Sequence, residues 1–171
     1  KVADTEAVWN AVMRAGKGHG LRPFGMFALN SLRVEKGYRA WKGDLSTDYT
    51  ILQGGLERFV DWTKSAFRGR AAIAAEKQAG VAKSFCTLVI EAGAFDPPYM
   101  STIWADGVVV GELTSGYYGH RVGACIGLGM LRADLNVAGT AVEVEIFGQR
   151  YRAVVQADAP LWDASNQRIR A

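Results

Sequence analysis

The sequence predicts an α+β protein in which an N-terminal helical and mixed segment precedes a small antiparallel barrel or sandwich. Helical patterns, each ended by glycine, occur in three stretches of the first half. From Lys83 onward, short runs rich in Val, Ile and Thr alternate with turn signals, which is typical of a small all-β unit. We expect the boundary near residue 80, with 1–80 and 81–171 as the two parts.

The first helix is expected to begin at Asp4 or Thr5, whose short oxygen-bearing side chains can cap free amides, and to run through Ala15. Val8, Trp9, Val12 and Met13 would line one side of it. The glycines between residues 16 and 20 end it in a loop. That loop lacks the spacing of a phosphate-binding loop, so a plain connection is the favoured interpretation.

The central helix is expected to open at Pro23, which suits a first-turn position, and to stop at Gly37. Its apolar spacing predicts a buried face with residues three or four apart: Met26, Leu29, Leu32 and Arg33. Tyr38 to Trp41 would then begin a strand. From chemistry alone, the polar residues of this stretch fit packing or surface roles as well as a site.

Further along, an alanine-rich helix is predicted from Phe67 to Gln78, whereas residues 56–62 fit either a helix or a strand. Two turns, Asp106-Gly107 and Gly148-Gln149, carry hairpin signals. Six short strands are predicted, at residues 84–91, 102–104, 108–114, 123–131, 141–147 and 151–157.

Composition excludes several classes of protein. The chain has 171 residues, 49% hydrophobic and 22% charged, and its net charge of +3 is too scattered to predict nucleic-acid binding. It has no apolar run of membrane-spanning length, and its start lacks the pattern of a signal peptide. Because the first residue is Lys1 and not Met, we expect a cut or shortened N-terminus.

Candidate chemistry from single residues is sparse. Ser115 and His120 lack the base and orienting group of a nucleophilic triad, and residues 123–129 lack a dinucleotide fingerprint, so no flavin or nicotinamide site is predicted. The two histidines have no second ligand at a metal spacing, so no metal site is predicted. Cys86 and Cys125, in apolar runs, are expected to be buried free thiols in a reducing compartment: the cytoplasm, or the mitochondrial matrix in a eukaryote.

The stretch from Gly25 to Tyr38 resembles a helix and turn of the glycine cleavage T-protein (aminomethyltransferase) family, written Gly-Leu-Gly-Ala-Arg-Asp-Ser-Leu-Arg-Leu-Glu-Ala-Gly. It is also similar to the folate region of dimethylglycine and sarcosine dehydrogenases, with Ala-Leu-Asn-Ser-Leu-Arg-x-Glu-Lys-Gly-Tyr-Arg. The resemblance continues through four further segments: Gly54–Leu56, Phe67–Arg70, Gly111–Gly116 and Pro160–Asp163.

This resemblance implies that residues 1–80 are the end of the family's middle subdomain and that 81–171 are its C-terminal β-barrel. It also implies the C-terminal part of a tetrahydrofolate-dependent module that takes a one-carbon unit from a methylamine. Folate is then the implied ligand, and FAD belongs only to a missing upstream domain. The family's two folate-site carboxylates also lie upstream, so we expect this part to be inactive alone. Its partners would be the rest of the parent polypeptide or a flavin-containing subunit, with no nucleic acid and no membrane.

The resemblance also suggests where folate would be contacted. Where T-proteins have Arg-Asp, this chain has Leu29-Asn30, so the family arginine is missing and only Asn30 can be carried over. Aromatic faces suit a pterin or benzoyl ring, and arginine suits the glutamate carboxylates. The predicted folate-binding residues are Asn30, Tyr38, Arg39, Trp41, Trp162, Gln167 and Arg168. No catalytic residue is predicted, and Glu35 is expected to pair with a cation or to bind backbone.

Two other functions remain open at this point. One is a non-catalytic interaction module that keeps the T-protein shape, which the loss of arginine at Leu29 favours. The other is a folate-dependent demethylase of the same fold that acts on a sulfonium substrate. The early helices also predict an exposed apolar patch along Val8, Trp9, Phe24 and Phe27.

Overall fold

The computed structural model describes residues 1–170, which contain three α-helices and six β-strands. The helices are α1 (Thr5–Gly16), α2 (Met26–Glu35) and α3 (Arg70–Ala79). The strands are β1 (Lys83–Ile90), β2 (Thr102–Ala105), β3 (Val108–Gly119), β4 (Ala124–Arg132), β5 (Ala141–Ile146) and β6 (Gln149–Val155). The predicted α+β class is therefore confirmed.

The six strands close into an antiparallel barrel in the order β1-β4-β3-β2-β5-β6. Because the barrel is closed, no long edge strand of the described chain is left unpaired. An open sandwich would have exposed edge strands that need protection from pairing with other chains. Hairpin chemistry explains two of the connections. Asp106 and Gly107 both have positive φ between β2 and β3, as predicted.

The second hairpin turn differs from the prediction by one residue. Phe147 and Gly148 are its central residues, with φ of 52° and 80°, and Gln149 already pairs with Ile146 as the first residue of β6. The prediction of Gly148-Gln149 was wrong because it placed glycine first in the turn. A phenylalanine at positive φ is uncommon, so the sequence gives little indication of it.

The barrel core is apolar, and β4 is buried along almost its whole length. A barrel strand usually alternates between the core and the outside, so continuous burial requires a cover on the outer face. Helix α2 is that cover. Val34, which is fully buried, packs with outward residues of β1 and β4: Phe85, Ile126, Leu128 and Met130.

The buried face of α2 is not the one that the spacing predicted. Ser31, Val34 and Glu35 are its buried residues, whereas Met26 and Leu29 are 67% and 43% exposed. Pro23 does not open the helix, which begins at Met26. Residues 38–40 do not form the predicted strand either, because polar contacts rather than sheet pairing fix this segment.

Helix α1 has the predicted extent to within a residue, but neither candidate cap makes a capping bond. Asp4 forms no side-chain bond to the helix amides, and the Thr5 hydroxyl donates to the Val2 carbonyl instead. Helix α3 begins at Arg70 instead of Phe67, since the left-handed Gly69 precedes it. The ambiguous stretch 56–62 contains a short 3-10 turn, Glu57–Phe59.

Each residue of the predicted apolar patch is exposed: Val8, Trp9, Phe24 and Phe27 are 59%, 54%, 66% and 80% exposed. That they form one continuous surface stays a prediction. In residues 1–170, no helix combines the length and apolar character needed to cross a bilayer.

Both cysteines are free and buried, as predicted. Burial raises the pKa of the Cys86 and Cys125 thiols to about 12. A protonated thiol is a poor nucleophile, so both side chains are expected to be inert in the folded protein.

We expect native protein to react very slowly with a disulfide reagent at about pH 8, while denatured protein exposes both thiols.

In the unfolded chain these groups ionise near their ordinary pKa, whereas in the folded chain they stay protonated up to about pH 12. Their contribution to stability is therefore complete at low pH and is lost as pH rises through that window. Urea denaturation at several pH values should show a shallower alkaline loss for Cys86→Ala. Rapid native labelling would contradict this account.

Candidate functional site

A buried carboxylate, Asp44, joins helix α2 to the barrel. Its side chain is completely buried and accepts four hydrogen bonds. Arg33 Nη1 and the Ala40 amide donate to Oδ2 at 2.8 and 2.7 Å. The hydroxyls of Thr114 and Ser115 donate to Oδ1 at 2.5 and 2.8 Å. A buried charge is tolerated when it is paired and hydrogen-bonded in this way, and both oxygens of Asp44 are satisfied.

The two hydroxyl donors reach the same oxygen because β3 is irregular at this point. Its pairing with β4 shifts between Leu113 and Ser115, so Thr114 lies in a bulge. In a regular strand, neighbouring side chains point to opposite faces. A bulge redirects one of them, and here Thr114 and Ser115 converge on Asp44.

Arg33 is the cation of this cluster, and it donates three further hydrogen bonds besides the one to Asp44. Nη2 donates to Ser115 Oγ at 2.9 Å, and Nη1 also donates to the Tyr38 carbonyl at 3.1 Å. Nε donates to Asn30 Oδ1 at 3.1 Å. Because an arginine N–H can only donate, the Asn30 atom that faces it must be the oxygen. The amide nitrogen of Asn30, a donor only, is thereby turned away from Arg33.

Beside this cluster lies a cavity of about 420 Å³, which we call the α2–β3 cavity. Aromatic rings and prolines form much of its wall, and a few polar side chains enter it. The lining residues are Phe27, Asn30, Arg33, Ala40, Gly43, Asp96, Pro97, Pro98, Tyr99, Thr114, Ser115, Gly116 and Tyr117. An apolar, aromatic cavity with few oriented polar groups is typical of a site for a flat heteroaromatic ligand.

The residues predicted to bind folate lie in several places. Asn30 lines the α2–β3 cavity. Tyr38 and Arg39 line a smaller cavity, which we call the Arg39 pocket. Trp41 is 70% exposed. The ring of Trp162 lies against two cations, with Arg121 at 4.1 Å and Lys36 at 5.7 Å from its centre.

The C-terminal candidates Gln167 and Arg168 have exposed side chains. The backbone amide of Arg168 donates to Asp163 Oδ1 at 3.0 Å. Partial burial acts to raise the pKa of Asp163, but hydrogen bonds from amides including that of Arg168, together with the charge of Lys36, outweigh it and lower the pKa. The described contacts of Gln167 and Arg168 therefore hold the backbone and do not place their side chains in a binding site.

Glu35 binds backbone, as expected. Its Oε1 accepts from the amides of Arg121 and Val122, at 2.6 and 3.3 Å, and so holds the turn between β3 and β4. Its own carbonyl accepts from the Trp162 amide at 3.1 Å. In the part of the chain that the structure describes, no cluster of three His, Cys, Asp or Glu residues could hold a metal ion.

Sequence reasoning missed Asp44, Thr114 and the cavity wall formed by Tyr99 and Tyr117. Asp44 lies in a polar, turn-rich link that is typical of a surface loop, and its hydroxyl partners are about 70 residues away. From sequence, Ser115 is a candidate only as a nucleophile, whereas in the structure its hydroxyl donates to Asp44 and accepts from Arg33. Two features of the sequence were available as signals of a polar cluster: the helical spacing of Arg33 and the adjacent hydroxyls of Thr114 and Ser115.

Replacing Asp44 with asparagine should destabilise the protein strongly. The substitution removes the ion-pair partner of Arg33, which is largely buried. It also places an amide N–H donor against groups that donate to Asp44. Breaking a buried pair typically costs about 3–5 kcal/mol of unfolding free energy. Chemical denaturation measures this. Asp48→Asn, at an exposed position in the same loop, is the matched control and should change stability by about 0.5 kcal/mol or less. Equal effects would contradict a special role for Asp44.

Comparisons with known proteins give a consistent result. Residues 83–163 match the sequence model of the glycine cleavage T-protein C-terminal barrel domain, and residues 1–64 match that of the GCVT N-terminal domain. Dimethylglycine dehydrogenase of Homo sapiens is 36% identical over 153 residues, which are 89% of this chain and 18% of that protein. Aminomethyltransferase of Frankia alni is 40% identical over 147 residues, 85% of this chain and 40% of that protein.

A crystal structure of aminomethyltransferase T from Bartonella henselae superimposes with a TM-score of 0.74 at 23% identity, over 80% of this chain and 38% of that one. At this identity the likeness concerns the fold. The chain thus spans about a fifth of the dimethylglycine dehydrogenase and about two fifths of the aminomethyltransferase relatives.

Proposed function

The chain belongs to the glycine cleavage T-protein family, and from this membership and the α2–β3 cavity we propose that it is part of a tetrahydrofolate-dependent aminomethyltransferase-like module. The module would pass a one-carbon unit from a methylamine to tetrahydrofolate. The names of its relatives support this class of donor, since one acts on dimethylglycine and others are aminomethyltransferases.

The observation that carries the proposal is the fixed orientation of Asn30. Asp44 holds Arg33, and Arg33 holds the Asn30 oxygen, so the asparagine is locked through a chain of charge-assisted bonds. A locked amide that directs its N–H donors away from Arg33 can recognise an acceptor atom on a ligand. Pterin rings carry such acceptors, and Phe27, Tyr99 and the other aromatic residues offer surfaces for stacking.

The part of this chain in the reaction is binding and orientation. When bound, tetrahydrofolate would supply the nucleophilic nitrogen that accepts the one-carbon unit. Asn30 and the aromatic wall would hold the ring, which raises the effective concentration of the reacting groups. We propose that a carboxylate managing the proton, and the flavin of a dehydrogenase, belong to other parts of the polypeptide or to a separate subunit.

Of the residues predicted from sequence, we assign Asn30 to this site. Tyr38, Arg39, Trp41, Trp162, Gln167 and Arg168 stay predictions. Leu29, which replaces the family arginine, is 43% exposed and is not among the residues that line the α2–β3 cavity. We propose a location in the cytoplasm, or in the mitochondrial matrix of a eukaryote, because the mammalian relatives are named as mitochondrial.

Titration of the full-length protein with tetrahydrofolate tests the proposal directly. We expect saturable binding by calorimetry, and we expect a methylamine such as dimethylglycine to yield methylenetetrahydrofolate in the presence of an electron acceptor. Absence of folate binding would favour the interaction module. Binding accompanied by methyl transfer only from a sulfonium compound would favour the demethylase.

Replacing Asn30 with aspartate should weaken tetrahydrofolate binding without unfolding the protein. A carboxylate still accepts the bond from Arg33 Nε, but it has no N–H to donate to the ligand. We expect the Kd to rise at least about tenfold, which corresponds to about 1.4 kcal/mol. Asn10→Asp, at an exposed position of α1, is the matched control and should leave the Kd unchanged. A rise of less than about twofold for Asn30→Asp would remove Asn30 from the site.

A further inference from the structure

The Arg39 pocket is a second, smaller cavity, on the β1 side of α2. It encloses about 100 Å³. Several cationic side chains line it together with one acid. The lining residues are Lys36, Gly37, Tyr38, Arg39, Arg58, Phe85, Thr87, Asp158, Ala159 and Pro160.

Arg39 is buried without an adequate hydrogen-bond partner. Its side chain is only 8% exposed, and its Nε has no partner. Nη1 lies 3.5 Å from the Gly37 carbonyl, and Nη2 lies 4.0 Å from Asp158 Oδ1. Both distances exceed the 2.7–3.2 Å of a good N–H···O bond. Buried polar groups are nearly always satisfied, so these donors call for a partner that protein atoms do not supply.

The guanidinium of Arg39 lies against an aromatic ring. Its central carbon lies 3.9 Å from the centre of the Phe85 ring. Gly55, at φ +65°, leaves room on another side, since a Cβ there would lie 2.7 Å from Nη2. A cation over an aromatic face is attracted to it, but the ring supplies no oxygen acceptor, so this contact leaves the N–H donors of Arg39 in need of a partner.

The charge around the pocket is not balanced. Arg39, Arg58 and Lys36 line it, and Asp158, the one acid among the lining residues, is 82% exposed. The ammonium of Lys36 donates to a carbonyl and to the Asn166 side-chain oxygen, which are both neutral. Burial lowers the pKa of Arg39, and the charge of Arg58 lowers it further, while the carboxylates of Asp158 and Asp44 offset part of this effect. The environment therefore favours an added negative charge.

We propose that the Arg39 pocket binds an oxyanion, a phosphate or carboxylate group, through Arg39 and Arg58. Both groups match the donor fork of arginine. The cavity is well below the 300 Å³ or so of a pocket for a whole drug-sized ligand, which suits a single such group. Two sources share this chemistry: free inorganic phosphate, and a carboxylate of a larger ligand such as the folate proposed above.

Inorganic phosphate is the probe for the experiment. We expect it to raise the melting temperature of the full-length protein saturably, at constant ionic strength set with chloride. Arg39→Gln should abolish this effect, and Arg58→Gln should raise the apparent Kd at least about fivefold, or about 1 kcal/mol. Arg14→Gln, at an exposed position of α1, is the matched control and should retain the wild-type affinity.

Arg58 is exposed, so the Arg58→Gln variant decides the result even if Arg39→Gln does not fold. A wild-type protein that phosphate stabilises no more than chloride does, or an Arg58→Gln variant with unchanged phosphate affinity, would overturn the proposal. Competition between phosphate and tetrahydrofolate would identify the oxyanion as a folate carboxylate, and simultaneous binding would identify a free anion. Because the phosphate titration needs no folate, a failure of folate binding leaves that test intact.

Discussion

The buried carboxylate of Asp44 is the constraint on which the arrangement of helix α2 and the barrel depends. An ionised carboxylate away from water must be surrounded by donors, and this requirement determines the local backbone. The loop after α2 turns back so that the Ala40 amide can donate to Asp44, and β3 bulges so that Thr114 and Ser115 can do the same. Arg33 completes the shell. Three separate elements are thereby fixed to one residue.

This arrangement explains how a ten-residue helix with a modest apolar face can be held in one orientation. Val34 supplies apolar packing against the barrel, and the polar cluster supplies direction. Arg33 makes its hydrogen bonds within the cluster around Asp44. Asn30 accepts one of them through its oxygen, so its N–H donors are turned away from Arg33.

Sequence reasoning succeeded where the information is local. Short runs rich in Val, Ile and Thr, separated by turn signals such as Asp106-Gly107, identified the strands, and the family motif identified the barrel. It failed for α2 because the spacing of Met26 and Leu29 marks an apolar stripe without saying whether the barrel covers it. The burial of Asp44 could not be predicted from its local sequence, because an exposed and a buried aspartate in a polar loop differ only in partners that are distant in sequence.

The segment that follows α2 links the two cavities. Tyr38 and Arg39 line the Arg39 pocket against β1 residues, while Ala40 and Gly43 line the α2–β3 cavity against β3 residues. Strand β4 lies between those two strands in the barrel. Asp44 binds the Ala40 amide, and Arg33 binds the Tyr38 carbonyl, so one cluster fixes the residues on both sides of Arg39. A charge bound at Arg39 would therefore lie within a short segment whose other end forms part of the wall of the α2–β3 cavity.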